Sequence, residues 1–167
     1  MIIVCPLNAA QTQIDLHDAC HVISLLSPDM PHQRFKGIVP ENHLRLTFHD
    51  VGAVTTGLNA PRLDDAQRLL NFIENWPREK PMVIHCWAGI SRSTAAAYAA
   101  LCLLRPNASE AELAWELRRA SPSATPNRLI TAHIDHLLAR EGRMNQSIAA
   151  IGRGADAFEG TPFTLNP

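Results

Sequence analysis

The sequence predicts an α/β fold, a mainly parallel sheet with helices on both faces, and three features carry that prediction. Short apolar runs recur at residues 1–5 (MIIVC), 22–26 (VISLL) and 81–85 (PMVIH). Each is too short for a helix and is of the kind that fills a sheet covered on both sides. Stretches of helical period separate these runs, and strands that alternate with helices form parallel layers. Finally, 167 residues are enough for one well-filled core and too few for two.

The elements follow in order. Residues 1–5 are the first strand, broken by Pro6, and residues 9–20 a short helix containing Ile14 and Leu16. The 22–26 strand ends at Ser27 and Pro28. Turn material follows over 29–37, with a short helical turn expected around 32–35. Residues 43–49 (HLRLTFH) place Leu44, Leu46 and Phe48 on one side and read as a third strand. Residues 51–60, with Gly52, Gly57 and Asn59, have the composition of a mobile surface loop. Pro61 is suited to open a helix, whose stripe of Leu63, Ala66, Leu69, Leu70 and Ile73 stops before Pro77. The fourth strand, 81–85, leads through a polar loop into a helix apolar on nearly every side, ended by Pro106. Ser109 and Glu112 form a capping box for a helix reaching Arg119. Residues 127–140 make a last long helix with Gly142 as its stop. The body is assigned to 1–142, and 143–167, rich in glycine, reads as a weakly structured C-terminal extension.

Composition narrows the partners. The formal net charge is −1 with signs interspersed, so neither nucleic acid nor an anionic membrane is an expected partner. Four cysteines lack any C-x-x-C pair, which fits a reducing compartment. The N-terminal run lacks a basic region, so it reads as a strand and not a signal peptide, and no apolar run approaches the length of a membrane span. A cytoplasmic location is expected. His17, His21, His32, His43, His49, His133 and His136 have no metal-ligand spacing, and no metal or cofactor is expected.

The chemistry concentrates in residues 85–93, His85-Cys86-Trp87-Ala88-Gly89-Ile90-Ser91-Arg92-Ser93. A glycine at 89 lets the backbone curl so that N–H groups from Trp87 to Arg92 face one spot, together with the N-terminus of the next helix. Such a cradle takes a tetrahedral oxyanion, and the Arg92 guanidinium closes it with a bidentate grip. Cys86 lies on its floor, where these dipoles and the arginine favour a thiolate. The ordinary reading of a cysteine is a small buried hydrophobe. It suffices for Cys5, Cys20 and Cys102, whereas a core cysteine has no use for a glycine-bent loop and an arginine opening a helix.

These residues resemble the signature loop of the cysteine-dependent protein tyrosine phosphatases, closest to the dual-specificity-like branch. The likeness extends more loosely over residues 22–138 and does not reach the last stretch. It implies a compact fold with a four-stranded, mainly parallel sheet. It also implies an acid after the third strand, some thirty residues before the cysteine. Asp50 fits, 36 residues ahead of Cys86, at the sheet edge where ligands bind. Its ordinary reading is a turn aspartate. Asp64 and Asp65 are rivals, explained by the dipole of the helix they open. His85 donates to the loop backbone by the same resemblance, or is simply a bonded core histidine. Ser93 assists departure of the sulfur or caps the helix, and Ser91 shapes the loop. Trp87 either walls an aromatic ester or, the commoner use, packs under the loop. Asn127 resembles a position near the family site and otherwise reads as an N-cap.

The expected activity is metal-independent hydrolysis of phosphoprotein, phosphotyrosine first, through a phosphocysteine formed by Cys86, Arg92, Asp50 and Ser93. Phosphoinositides and RNA 5′-phosphates are alternative substrates, the former less favoured because no lysine stands beside Arg92. A rhodanese-like sulfurtransferase and a non-catalytic phosphate-binding module are the other classes the loop allows.

Overall fold

The computed structural model describes all of residues 1–167. Four parallel strands lie where three apolar runs and the alternating stretch at 43–49 predict them: β1 (Ile2–Pro6), β2 (His21–Leu26), β3 (His43–Thr47) and β4 (Met82–Cys86). Their register pairs Ile3 and Val22 with Val83, and Leu25 with Leu46. The spatial order is β3-β2-β4-β1, continued by β5 (Phe163–Leu165), which runs antiparallel to β1 with Ile2 opposite Leu165 and Val4 opposite Phe163. The sheet thus has five strands where four were expected. Three residues are too few to show a period in sequence, yet they cover an edge of β1 that would otherwise present unpaired amides.

Helices cover both faces unequally. One face carries only α1 (Ala10–His17), over a small core of Ile3, Cys5, Ala10, Ile14, Val22, Phe35 and Val83. The other carries α2 (Leu63–Glu74), α3 (Arg92–Leu104), α4 (Glu110–Ala120), α5 (Arg128–Leu137) and α6 (Arg143–Ala150) around the main core. Every residue of α3 from Arg92 to Cys102 is buried, as an all-round apolar helix requires. No helix is long and apolar enough to cross a membrane.

Boundaries differ from expectation where backbone turns intervene. Asp18 at φ 50 ends α1 well short of Cys20. The chain over 32–35 forms no helical turn, and a 3-10 turn occupies Pro40–Asn42 instead. The α4 capping box is present, Glu112 N donating to Ser109 Oγ at 3.1 Å. Ala139 and Glu141, both at positive φ, stop α5 before Arg140. Gly142, read as a stop, is the residue on which α6 begins: the buried Asp135 carboxylate accepts from Gly142 N at 2.6 Å and Met144 N at 2.8 Å. The stretch after 142 is therefore ordered, with Met144 and Ile148 in the core and β5 in the sheet.

Candidate active site

β4 delivers Cys86 to the carboxyl edge of the sheet, and α3 begins at Arg92, so the intervening residues must close a tight loop. Gly89 makes this feasible twice over. Its φ is +72°, and a Cβ there would lie 2.7 Å from Pro6 N and 2.8 Å from the Cys5 carbonyl carbon. The loop thus folds directly against the end of β1.

Its polarity follows from where the carbonyls go. Trp87 O accepts from Leu7 N (3.1 Å), Ala88 O from Gly160 N (2.8 Å) and Ile90 O from Thr125 N (2.9 Å), all outside the loop. The N–H groups of Ala88, Ile90 and Ser91 take no partner within the protein, and Gly89 N donates to Cys86 Sγ at 3.2 Å. Cys86 is 2% exposed and also meets Ser93 Oγ at 3.2 Å. Burial pushes the thiols of Cys5 and Cys102 up to about 12, which leaves them protonated and inert.

Arg92 is 4% exposed. Its Nη1 donates to Phe48 O and to Ser27 Oγ, both at 3.0 Å, fixing one edge of the guanidinium against the ends of the neighbouring strands. Its Nε is buried and has no hydrogen-bond partner; the nearest acid oxygen, Asp50 Oδ2, is 3.7 Å away. A buried cationic donor left open is an expensive feature unless an acceptor arrives to fill it.

Asp50 is seated from the opposite side. Its Oδ1 accepts from Ser91 Oγ (2.7 Å) and Asn127 Nδ2 (2.8 Å), leaving Oδ2 toward Arg92. Asn127 also donates to Val51 O (3.0 Å), while its Oδ1 caps α5 through Leu129 N and Ile130 N, each 3.0 Å. One amide thus holds both the Asp50 loop and a helix start. Asn127 is accordingly both the N-cap and a site neighbour, and Ser91 holds Asp50 as well as shaping the loop. Asp65 instead accepts from Arg62 N at the start of α2.

His85 is fully buried, with Nδ1 3.3 Å from Cys86 O and Nε2 2.6 Å from Ser24 Oγ. Burial lowers its pKa to about 4, and the same cause takes His43 to about 4, so both rings are neutral at neutral pH. Trp87 does not pack under the loop: it is 46% exposed and meets Phe158 edge-on at 5.4 Å.

The predicted residues form two bonded groups, Cys86 with Gly89 N and Ser93 and Asp50 with Ser91 and Arg92, which the consecutive residues 91–93 hold side by side, while Trp87 is exposed and Ala88 and Ile90 are half-buried. Ser27, the Phe48 carbonyl and Ser24 were not anticipated. Nothing in their local sequence marks them, because strand neighbours bring them in.

No family model and no curated protein sequence matches the chain. Solved structures do match it in fold. A crystal structure of DUSP15 aligns with a TM-score of 0.66 at 19% identity, over 89% of this chain and 90% of that one. Human DUSP28 gives 0.64 at 20% identity, over 84% and 89%. PTPMT1 in complex with PI(5)P gives 0.59 at 19% identity, over 84% and 94%. The chain has the fold of the cysteine-dependent protein tyrosine phosphatase superfamily, in its compact dual-specificity-like form.

Proposed function

We propose that the protein is a metal-independent phosphomonoester hydrolase acting on phosphotyrosine, and on phosphoserine or phosphothreonine, in proteins. The observation that carries this reading is the open Nε of Arg92, buried beside the Cys86 loop, whose Ala88, Ile90 and Ser91 N–H groups are also without a partner. A tetrahedral dianion satisfies all of them at once.

Cys86 Sγ attacks phosphorus as the thiolate, forming the S–P bond as the ester P–O bond breaks. Arg92 Nε and the loop amides hold the equatorial oxygens while charge redistributes among them. Asp50, protonated on its free Oδ2, gives its proton to the departing oxygen. Water then attacks the phosphocysteine and loses a proton to the same carboxylate. The P–S bond breaks, and the Ser93 hydroxyl donates to the returning thiolate. Trp87, exposed beside the loop, offers an aromatic face to a phenolic ester.

An inositol phospholipid is the second reading, on the ground that PTPMT1, of similar fold, was solved with PI(5)P. Hydrolysis of p-nitrophenyl phosphate tests the class. The wild-type chain should turn it over fully in chelator, and Cys86→Ser should be inactive while still binding phosphate. Undiminished turnover by Cys86→Ser, or strict dependence on added metal, would contradict the proposal. A panel of phosphopeptides, phosphoinositides and 5′-phosphorylated RNA then ranks the substrates.

A further inference from the structure

A line of polar side chains crosses the sheet beneath the Cys86 loop. Arg45 Nη2 lies 3.1 Å from His43 Nδ1, His43 Nε2 lies 2.7 Å from Ser24 Oγ, Ser24 Oγ lies 2.6 Å from His85 Nε2, and His85 Nδ1 lies 3.3 Å from Cys86 O. The line starts on the exposed edge strand β3 and ends on the carbonyl of Cys86. Ser24, His43 and His85 are all buried, and Phe35 packs against both rings at 5.3 and 5.4 Å.

The two ends assign every proton between them. A guanidinium can only donate, so His43 Nδ1 accepts. A neutral imidazole has one N–H, so His43 Nε2 donates to Ser24 Oγ. Ser24 then has its own hydrogen for His85 Nε2, and His85 donates from Nδ1 to the Cys86 carbonyl, an obligate acceptor. Read from the carbonyl end, the assignment is identical. A reversed His85 would set an Nδ1 lone pair against the Cys86 oxygen.

The geometry points to Ser24, His43 and Arg45 as positioning residues that fix the His85 tautomer and, through it, the peptide plane linking Cys86 to Trp87. In a trans peptide the carbonyl and the next N–H point in opposite directions. Pinning Cys86 O therefore also aims the Trp87 N–H, and hydrogen bonds aligned in one direction reinforce one another. The inference deepens the proposed function and rests on it only for the meaning of Cys86; the chain of bonds stands by itself.

Its test reads the sulfur directly. Iodoacetate alkylation of Cys86 is followed by peptide mapping across pH in the full chain, which needs no phosphatase activity. Other titratable or charged groups facing the line or the sulfur are His32, Cys5, Arg92 and Asp50, and none is altered. Ser24→Ala and Arg45→Met should each slow alkylation at pH 6 by about threefold to tenfold, the worth of one net hydrogen bond, and move the profile to higher pH. Ser24→Thr and Arg45→Lys should restore it. Arg45 is exposed, so Arg45→Met keeps the test valid if Ser24→Ala unfolds. Profiles unchanged in Arg45→Met, or a change abolished by molar salt, would overturn the inference, the latter by reducing Arg45 to a screened charge. A shifted profile in a chain that hydrolyses no phosphoester would support the line while removing the proposed function.

Discussion

Among single residues Gly89 has the least latitude. Replacement by alanine must relieve contacts of 2.7 and 2.8 Å with β1 backbone as well as a φ of +72°. Gly89→Ala should cost ~2–4 kcal/mol of stability and most of the activity. Urea unfolding alongside p-nitrophenyl phosphate turnover checks both, and a stable, active variant would show that the loop folds otherwise. Asp50→Asn should keep its Oδ1 contacts while losing the proton it gives away. Its turnover should fall by about 10²–10⁴-fold on phenyl phosphate and far less on esters of acidic phenols. Equal losses on both would remove Asp50 from the role of acid. Cys86, Gly89 and Arg92 were visible in sequence because the loop is local: seven consecutive residues hold thiol, bend and cation. Ser27, the Phe48 carbonyl and Ser24 were not, because parallel pairing sets them beside residues about 40 to 65 positions away.

Among the elements, the C-terminal stretch departs most from expectation. After α6 the chain runs back over the loop as a strap. Gly154 sits so close to Ser123 that a Cβ would lie 2.5 Å from its carbonyl carbon, and at Gly160 a Cβ would lie 3.0 Å from Gly89 O. Asn8 Nδ2 donates to both carboxylate oxygens of Glu159, at 3.1 and 2.9 Å. Gly160 N meets Ala88 O, and β5 closes the sheet. The glycines that made this stretch look weakly structured are the residues that permit its close approach. Gly160→Val should therefore lower kcat/KM on p-nitrophenyl phosphate by about tenfold or more, through displacement of the loop. Its thermal midpoint should move only modestly. Wild-type kinetics in that variant would show that the strap leaves the loop untouched. Helix bounds follow from sequence where period and caps are strong, as in α2 and α4, and do not at α1 and α5, whose ends depend on positive-φ residues other than glycine.

For the molecule as a whole, the buried histidine line couples folding to pH. Unfolded histidines bind protons near pH 6.5, whereas His43 and His85 resist until about 4. Between those values the unfolded chain holds more protons, so stability falls as pH falls. Urea denaturation at pH 7.5 and pH 5 should differ by about 4 kcal/mol, roughly 2 for each ring, the lower pH being less stable; a flat profile would mean the rings are protonated in the fold. The layer architecture was legible because apolar runs and amphipathic periods alternate along the chain. The fifth strand was not, because it is short and pairs across the length of the sequence.

In the proposed reaction Cys86 takes up the phosphoryl group in the cradle closed by Arg92. Rapid acid quench during turnover of p-nitrophenyl phosphate, followed by mass spectrometry of the Cys86 peptide, tests it most directly. A phosphoryl group should be found on Cys86, accumulating in Asp50→Asn and absent in Arg92→Ala. Continued hydrolysis with no modification of that peptide in either form would contradict it.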